Sequence, residues 1–300
     1  MKKLRAIWEL MRLEHGIMLF IAILIGSIIS QKTIYDNTNL PLISVFLTFF
    51  TALFLEASTF ALNDYYDLEI DKINKRTDRP LVRGDISPKT ALYLFYILFP
   101  LGLICSFFVN MTCFIIAFIT AFLSVFYDIK MKKIKLVGNF YIAYIMAIPF
   151  VFGGATILKW GTISFGGINP AIYTIALIAF LAGSGREIMK DVMDFEGDKV
   201  QGVKSFPKYI GSRWSNILAA LFYIAAIVLS FLPYSLSNYE LYYRNTYYLL
   251  LVFITDVMLL TTSLHLILKK QPRLAMYRKF TLLAIFIGLV AFLIGAFIHQ

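Results

Sequence analysis

Residues 63–72 read NDYYDLEIDK, and residues 190–199, which lie 127 positions further along the chain, read KDVMDFEGDK. At this offset several residues meet an identical partner: Asp64, Asp67, Glu69, Asp71, Lys72, Pro80 and Gly84. Acids at positions i, i+3 and i+7 of an α-helix fall within an arc of about 60°, so each stretch places three aspartates on one helix face. Carboxylates held this close repel one another unless a cation neutralises them. The duplication therefore predicts two acidic helix faces that together form a site for a divalent metal ion.

The composition indicates an integral membrane protein. The 300 residues are 59% hydrophobic and 15% charged, whereas a soluble domain is about half apolar and about one quarter charged. Long apolar runs recur along the whole chain, which predicts an all-α, polytopic helical bundle, since a β-barrel would show short alternating segments. We predict one domain, residues 1–300, with spanning helices at 15–33, 41–62, 88–109, 111–127, 136–158, 170–189, 214–233, 246–268 and 277–298.

The basic residues divide unequally between the two sides of this bundle. Of the 28 Lys and Arg residues, 25 lie on the side of the N-terminus and of both acidic stretches, and only Lys32, Lys159 and Arg244 lie on the other. The positive-inside rule then predicts a cell-membrane protein with a cytoplasmic N-terminus, a cytoplasmic active site and an extracellular C-terminus. Part of the net charge of +10 is expected to serve anionic substrates and membrane lipids. Nucleic acid is not an expected partner.

The offset also predicts an internal repeat. Four predicted spans separate the two acidic stretches, and an even number of crossings returns the chain to the same face of the membrane. The spacing of the two stretches fits a four-helix unit that is used twice and is followed by a ninth helix. Two such units would share their orientation and be related by an axis along the membrane normal.

The chemistry of the acids favours Mg²⁺. This hard cation takes oxygen ligands and is usually shared between a few carboxylates and substrate phosphates. Zinc would need a cluster of Cys or His, and His15, His265 and His299 are scattered along the chain. The expected metal ligands are Asn63, Asp67, Asp71, Asp191, Asp194 and Asp198, and Asp64 joins these five aspartates as a candidate catalytic residue.

Basic and aromatic residues near the acids are candidates for binding substrate. Mg²⁺ alone would not neutralise a diphosphate, so neighbouring Lys and Arg residues are expected to bind phosphate oxygens. An electron-rich ring beside the acids could stabilise a developing carbocation. The candidates are Arg12, Arg79, Lys132, Arg186, Lys190, Lys204, Lys208, Tyr65 and Tyr127.

The two stretches resemble a known family. The pattern Asn63-Asp64-x-x-Asp67-x-x-x-Asp71 resembles the first Asp-rich motif of the UbiA superfamily of intramembrane prenyltransferases, and Asp191-x-x-Asp194-x-x-x-Asp198 resembles the second. The predicted number of helices and the placement of both motifs agree, so the resemblance covers essentially the whole chain. It implies a nine-helix fold, dependence on Mg²⁺ and an isoprenyl diphosphate donor.

Finer features are similar to the branch of this family that makes archaeal ether lipids. They are Asp78-Arg79-Pro80, Gly185-Arg186-Glu187 and Glu196-Gly197-Asp198. The resemblance implies transfer of a geranylgeranyl group from its diphosphate to the hydroxyl of a lipid phosphate, geranylgeranylglyceryl phosphate. Two alternatives stay open at this point: an aromatic acceptor such as a quinone precursor, and a membrane transporter. Transport sites usually lie near the membrane midplane, whereas these acids cluster at one mouth.

Overall fold

A computed structural model describes residues 2–73, 75–161, 163–200 and 202–298, and His299 lies outside these ranges. The described part is helical and contains no β-strand. Its α-helices are α1 (Lys2–Met11), α2 (Gly16–Tyr35), α3 (Leu42–Ile73), α4 (Pro80–Arg83), α5 (Pro88–Val109), α6 (Met111–Ile129), α7 (Lys135–Ala155), α8 (Pro170–Val200), α9 (Phe206–Ser230), α10 (Leu232–Ser235), α11 (Thr246–Leu268) and α12 (Leu274–Phe297).

Within the described ranges, nine helices are long and apolar enough to cross a membrane. They are α2, α3, α5, α6, α7, α8, α9, α11 and α12, and each overlaps one predicted span. The predicted all-α, polytopic fold is thereby confirmed. Helices α3 and α8, with 32 and 31 residues, measure about 48 Å at 1.5 Å per residue, against about 30 Å for the hydrocarbon core. Both acidic stretches lie in the C-terminal ends of these two long helices, so each helix presents its acids at a mouth of the bundle.

Two elements differ from the sequence prediction. Helix α1 precedes the first span and was not predicted, because a ten-residue helix is marginal alone and depends on the packing of its apolar face. Helix α9 begins at Phe206, eight positions before the predicted start at 214. A short helical segment comes first and is broken at Gly211, whose φ of 77° and ψ of 158° interrupt the helix.

The ends of α3 and α8 have the same local structure. The carbonyls of Asp71 and Asp198 each accept a hydrogen bond from the amide five residues later, at 2.9 and 3.0 Å. Lys75 and Gly202, which the same offset relates, both have positive φ, of 51° and 69°. This is the Schellman motif, which satisfies the last carbonyls of a helix through one left-handed residue. Each acidic stretch therefore ends in an equivalent turn.

Helices α2 and α7 touch through two glycines that are again related by this offset. A Cβ on Gly26 would lie 2.1 Å from the carbonyl oxygen of Phe150, and one on Gly153 would lie 2.1 Å from that of Ile23. Ile23 and Phe150 are themselves separated by 127 positions, so the contact is reciprocal, as at a twofold axis. The local structure is thus duplicated at this offset, while the full unit of four helices used twice stays a prediction.

Two asparagines join helix ends on the side opposite the acidic stretches. The side chain of Asn110 caps the start of α6 and donates to the carbonyl of Ala155 at the end of α7, at 2.8 Å. The side chain of Asn245 caps the start of α11 and donates to the carbonyl of Ile298, just past α12, at 2.5 Å. Helix ends leave amides and carbonyls that a membrane interior cannot hydrate. Each asparagine satisfies such groups in two neighbouring helices.

Candidate active site

The first acidic stretch binds two arginines. Asp64 is only 2% exposed, and its Oδ1 accepts hydrogen bonds from Arg79 Nη1 at 2.6 Å and from Arg12 Nη2 at 3.3 Å. Arg79 Nε also lies 4.0 Å from Asp71 Oδ2, and the Arg12 guanidinium stands 4.1 Å from the centre of the Phe60 ring. A buried carboxylate is tolerated only when paired, and these arginines supply the opposite charge. Two of the three predicted substrate-binding arginines, Arg12 and Arg79, therefore lie at the first motif.

One short connection between α6 and α7 reaches both acidic stretches. Lys132 contacts the Asp67 carboxylate and donates to Asn63 Oδ1 at 2.7 Å. Lys135, three residues later, donates to Asp198 Oδ2 at 2.6 Å and lies 3.5 Å from Asp191 Oδ1. The two motifs, although far apart in sequence, thus both contact the short segment 132–135.

Asn139 holds the second stretch in place. Asp191 is 2% exposed, and its Oδ2 accepts from Asn139 Nδ2 at 2.7 Å. Asn139 follows Arg12 by 127 positions, as Asp191 follows Asp64, so equivalent positions contact equivalent acids. Sequence reasoning missed both Asn139 and Lys135. The offset from Arg12 is the signal that would have found Asn139.

Helix α8 carries a second group of charges one turn before Asp191. Glu187 is buried and accepts from Arg186 Nη1 at 3.4 Å and from Lys190 Nζ at 3.2 Å. Arg186 Nε is buried and has no hydrogen-bond partner among the described residues. This guanidinium therefore retains an N–H group with which it could bind an anion.

Tyr127 lies between the two motifs. Its ring stacks on that of Tyr141 with centroids 4.6 Å apart. It interacts electrostatically with Asp67 of the first motif and with Asp191 and Glu187 on α8. The ring is therefore in a position where positive charge would be attracted from both sides.

The side chains of three predicted substrate-binding residues form no hydrogen bond or ion pair with the motif acids among the described residues. Tyr65 packs in the hydrophobic cluster that joins α1, α3 and α4, edge-on to Tyr66. The backbone of Lys204 is hydrogen-bonded to Lys133 and Leu136, but its side chain is exposed. The side chain of Lys208 is exposed as well, and neither lysine forms an ion pair in the described part of the chain. Which lysine of a basic segment turns inward depends on where the adjoining helices end, and sequence spacing does not fix that.

The two motifs supply the type of ligand atom that a divalent metal ion needs. Among residues 2–73, 75–161, 163–200 and 202–298, no three acidic, Cys or His side chains lie close enough to hold a metal between them. Ammonium groups of Lys132 and Lys135 lie against Asp67 and Asp198 instead, so the acids are neutralised as their mutual repulsion requires. Carboxylates and the Asn63 amide oxygen are hard oxygen donors, which is the ligand set that Mg²⁺ takes. The residues present fit that ion, and Asp194 is partly buried and forms no ion pair with the other described residues.

A rim of ion pairs surrounds the first motif. It bounds a cavity of about 300 Å³ lined by Glu9, Arg12, Asp64, Arg76, Asp78, Arg79 and Pro80. Hydrogen bonds from Arg76 lower the pKa of Asp78 to about 2, and hydrogen bonds from Arg83 and Arg5 lower the pKa of Glu9. The rim is therefore made of charged pairs at neutral pH, between α1 and the segment that links α3 to α5.

Comparison with known proteins identifies the family. Residues 19–283 match the model of the UbiA prenyltransferase family. The chain belongs to this family. UbiA prenyltransferases are enzymes, so the transport alternative is not retained.

Two relatives of this UbiA prenyltransferase carry the same name. A protein of Archaeoglobus fulgidus named digeranylgeranylglyceryl phosphate synthase is 42% identical over 295 residues, which cover 98% of this chain and 96% of the relative. A protein of Pyrococcus furiosus with that name is 34% identical over 289 residues, which cover 96% of each chain.

Solved structures share the fold of this UbiA prenyltransferase. One that is described for digeranylgeranylglyceryl phosphate synthase in membranes has a TM-score of 0.78 and 34% identity, and the match covers 99% of each chain. Another, a UbiA homolog from Archaeoglobus fulgidus bound to DMAPP and Mg²⁺, has a TM-score of 0.57 at 17% identity, with 95% of this chain and 98% of that one covered. At this identity, the second match shows a shared fold.

Proposed function

We propose that this chain catalyses Mg²⁺-dependent transfer of a geranylgeranyl group from geranylgeranyl diphosphate to the hydroxyl of geranylgeranylglyceryl phosphate. The reaction forms the second ether bond of archaeal membrane lipids and releases diphosphate. The observation that carries the proposal is that Lys132, between α6 and α7, and Lys135, at the start of α7, contact one acidic motif each. Relatives of nearly full length with the name of this activity support the choice of substrates.

The acids would hold the metal ion. Asn63, Asp67, Asp71, Asp191, Asp194 and Asp198 supply oxygen ligands at the two facing motifs. When bound, the ion neutralises the diphosphate and stabilises it as a leaving group. The binding of Mg²⁺ with a prenyl diphosphate by a family member of the same fold supports this assignment.

The basic residues would bind the phosphates. Lys132 and Lys135 pair with motif acids, and a metal ion that takes their place leaves both ammonium groups available to donate to phosphate oxygens. Arg12 and Arg79 are oriented by Asp64, and Arg186 retains a buried donor without a partner. Lys190 lies beside Arg186, while Lys204 and Lys208, being exposed, are assigned to the attraction of anionic substrates to the mouth.

The transfer then proceeds at an allylic carbon. The bond between that carbon and the diphosphate oxygen breaks, and its electron pair leaves with the diphosphate. The ring of Tyr127, stacked on that of Tyr141, stabilises the positive charge that develops at this carbon. The acceptor oxygen attacks the allylic cation and forms the ether bond, and its proton passes to the released diphosphate. Segments closed over the mouth exclude water, which would otherwise capture the cation.

The apolar bundle suits both substrates. Each has an anionic head and a C20 chain, and a chain of this length can bury many methylene groups at about 0.8 kcal/mol each. We place the mouth on the cytoplasmic side of the cell membrane because of the uneven division of basic residues. We treat residues 1–300 as one domain, since apolar spans recur along the whole chain.

The test is a competition between acceptors. Purified protein with Mg²⁺ and geranylgeranyl diphosphate is offered geranylgeranylglyceryl phosphate together with a hydroxybenzoate, and the products are identified by mass. We expect the ether lipid to dominate and chelation to stop its formation. A prenylated aromatic as the sole product would refute the acceptor, and full activity in excess chelator would refute the metal role.

A matched pair of variants tests the site. Asp67→Asn removes an acid that contacts Lys132, and turnover should fall by orders of magnitude. Glu69→Gln removes an exposed acid two residues away that pairs only with Lys72, and turnover should remain close to that of the parent. Equal effects of the two changes would refute the assignment of the motif face.

A further inference from the structure

Helix α1 has three faces with different surroundings. Ala6 and Leu10 are buried in the cluster shared with α3 and α4. Arg5 and Glu9 form a polar face on which their side chains pair at 2.9 Å. The third face is apolar and uncovered, since Leu4 is 74% exposed and Trp8 is 55% exposed. Residues four positions apart lie on the same side of a helix, so these two side chains form one apolar surface.

The chain keeps this surface close to the bilayer. Only residues 12–15 separate α1 from Gly16, where the first membrane span begins. Four residues extend over at most about 14 Å, so α1 cannot move far from the membrane surface. The exposed basic residues Lys3 and Arg5 flank the apolar surface and complement the charge of anionic lipid head groups. Apolar residues on one side of a short helix, tryptophan among them, with basic residues beside them are typical of a helix that lies in the membrane interface.

The polar face of α1 is tied to the rim of the active site. The Glu9 carboxylate accepts a hydrogen bond from Arg83 Nη2. Arg83 Nη1 in turn donates to the carbonyls of Thr77 and Asp78, at 3.2 and 2.9 Å. The segment between α3 and α5 is thereby attached to α1, whose position the membrane would fix.

We infer that the surface formed by Leu4 and Trp8 docks into the head-group region of anionic phospholipids, and that this docking holds the rim segment, residues 75–86, over the first acidic motif. The lipid contact and the Glu9–Arg83 contact act on two different faces of one helix. Loss of the lipid contact would leave the rim attached to a helix that is itself less restrained. Substrate binding would then weaken while the reacting groups stayed in place.

The docking is tested by fluorescence of a single tryptophan. The full-length variant with Trp160→Phe and Trp214→Phe retains only Trp8 and is placed in vesicles of phosphatidylglycerol and phosphatidylcholine. Some of the lipids carry bromine atoms, either near the glycerol backbone or near the end of the acyl chain. We expect strong quenching by the shallow bromines and weak quenching by the deep ones. Absence of quenching by both would overturn the docking, and shielding from a water-soluble quencher without bromine quenching would mean that protein, such as a second copy, covers Trp8.

The coupling to the rim is tested with matched variants. Leu4→Ser with Trp8→Ser should raise the KM for substrate several-fold with little change in kcat, and should speed trypsin cleavage within residues 72–76 several-fold. Trp160→Ser removes an equally exposed tryptophan, at 66%, near the opposite ends of the helices and should change neither quantity. Glu9→Gln, which leaves the apolar surface intact, should reproduce the faster cleavage.

Unchanged cleavage and KM in both the double variant and Glu9→Gln would overturn the coupling. A variant that fails to fold would be cleaved throughout the chain, which separates that failure from loss of the rim contact. The quenching and cleavage measurements need no substrate, so they remain informative if the proposed reaction is wrong.

Discussion

Replacing Lys135 by Met should make the metal-free protein less stable and its stability more dependent on Mg²⁺. Lys135 Nζ lies 2.6 Å from Asp198 and 3.5 Å from Asp191, and its side chain is only 24% exposed. A hydrogen bond to a charged group contributes roughly 1.5–3 kcal/mol, and its loss leaves two carboxylates without their cation. We therefore expect the free energy of unfolding in chelator to fall by about 2 kcal/mol.

Mg²⁺ should recover most of this loss, because the ion replaces the ammonium group between the same acids. Stabilisation by a ligand follows its affinity for the folded state. At about 1.4 kcal/mol for each factor of ten, 2 kcal/mol corresponds to roughly 30-fold tighter Mg²⁺ binding in the variant. Unfolding in chelator and in Mg²⁺ gives the first quantity, and calorimetric titration with Mg²⁺ gives the second.

Lys133→Met is the matched control, since Lys133 is an exposed lysine in the same connection. It should leave both quantities unchanged. If Lys135→Met lost equal stability with and without Mg²⁺, or bound the ion no more tightly than the parent, the argument that this lysine and the metal share a position would be refuted.

Three further outcomes are expected. Gly26→Ala and Gly153→Ala should each lower the free energy of unfolding by about 1–3 kcal/mol or more, because the new Cβ would meet a backbone carbonyl at 2.1 Å. Gly166→Ala, with no atom within 4 Å of its Cβ, should not lower it. Equal melting temperatures for the three variants would contradict the close contact between α2 and α7. Cysteines placed at Lys72 and Lys199 should react with impermeant reagents from the cytoplasmic side and one at Lys159 from the other, and labelling of Lys72 and Lys199 from opposite sides would contradict a shared site. Since the folded-state pKa of Asp78 is depressed from 3.8 to about 2, its pairing with Arg76 stabilises the rim above pH 3.8 and is lost as the pH falls towards 2. Amide exchange of residues 75–86, corrected for intrinsic rates, should therefore rise as the pH falls from 3.8 to 2 in the parent and not in Arg76→Gln.

The spans and the acidic motifs could be predicted because they depend on local rules. Apolar length identifies a span, and the spacing of Asp64, Asp67 and Asp71 puts them on one face of any helix. The basic partners of these acids are harder to predict, because the packing of the helices decides which lysine side chain contacts an acid. Lys132 lies where the sequence suggested, but Lys135 at the first position of α7 was missed, and Lys204 and Lys208 remain at the surface.

Asn139 and α1 were missed for different reasons. Asn139 lies within a predicted span and resembles an isolated polar residue until it is compared with Arg12, because only the repeat offset relates the two. Helix α1 lacks the length of a span, and its helical state depends on burial of Ala6 and Leu10 against distant parts of the chain.

The asparagine caps give the molecule one closed end and one adjustable end. At the closed end, Asn110 and Asn245 tie neighbouring helices through buried hydrogen bonds, for which the bilayer offers no replacement partner. At the mouth, the corresponding ties are ion pairs such as Arg83 with Glu9, and water, salt, metal or phosphate can each take one partner's place. We therefore expect the helices to move more at the mouth than at the closed end. Such an arrangement would let the mouth adjust to a substrate head group while the helix ends on the opposite side stay joined.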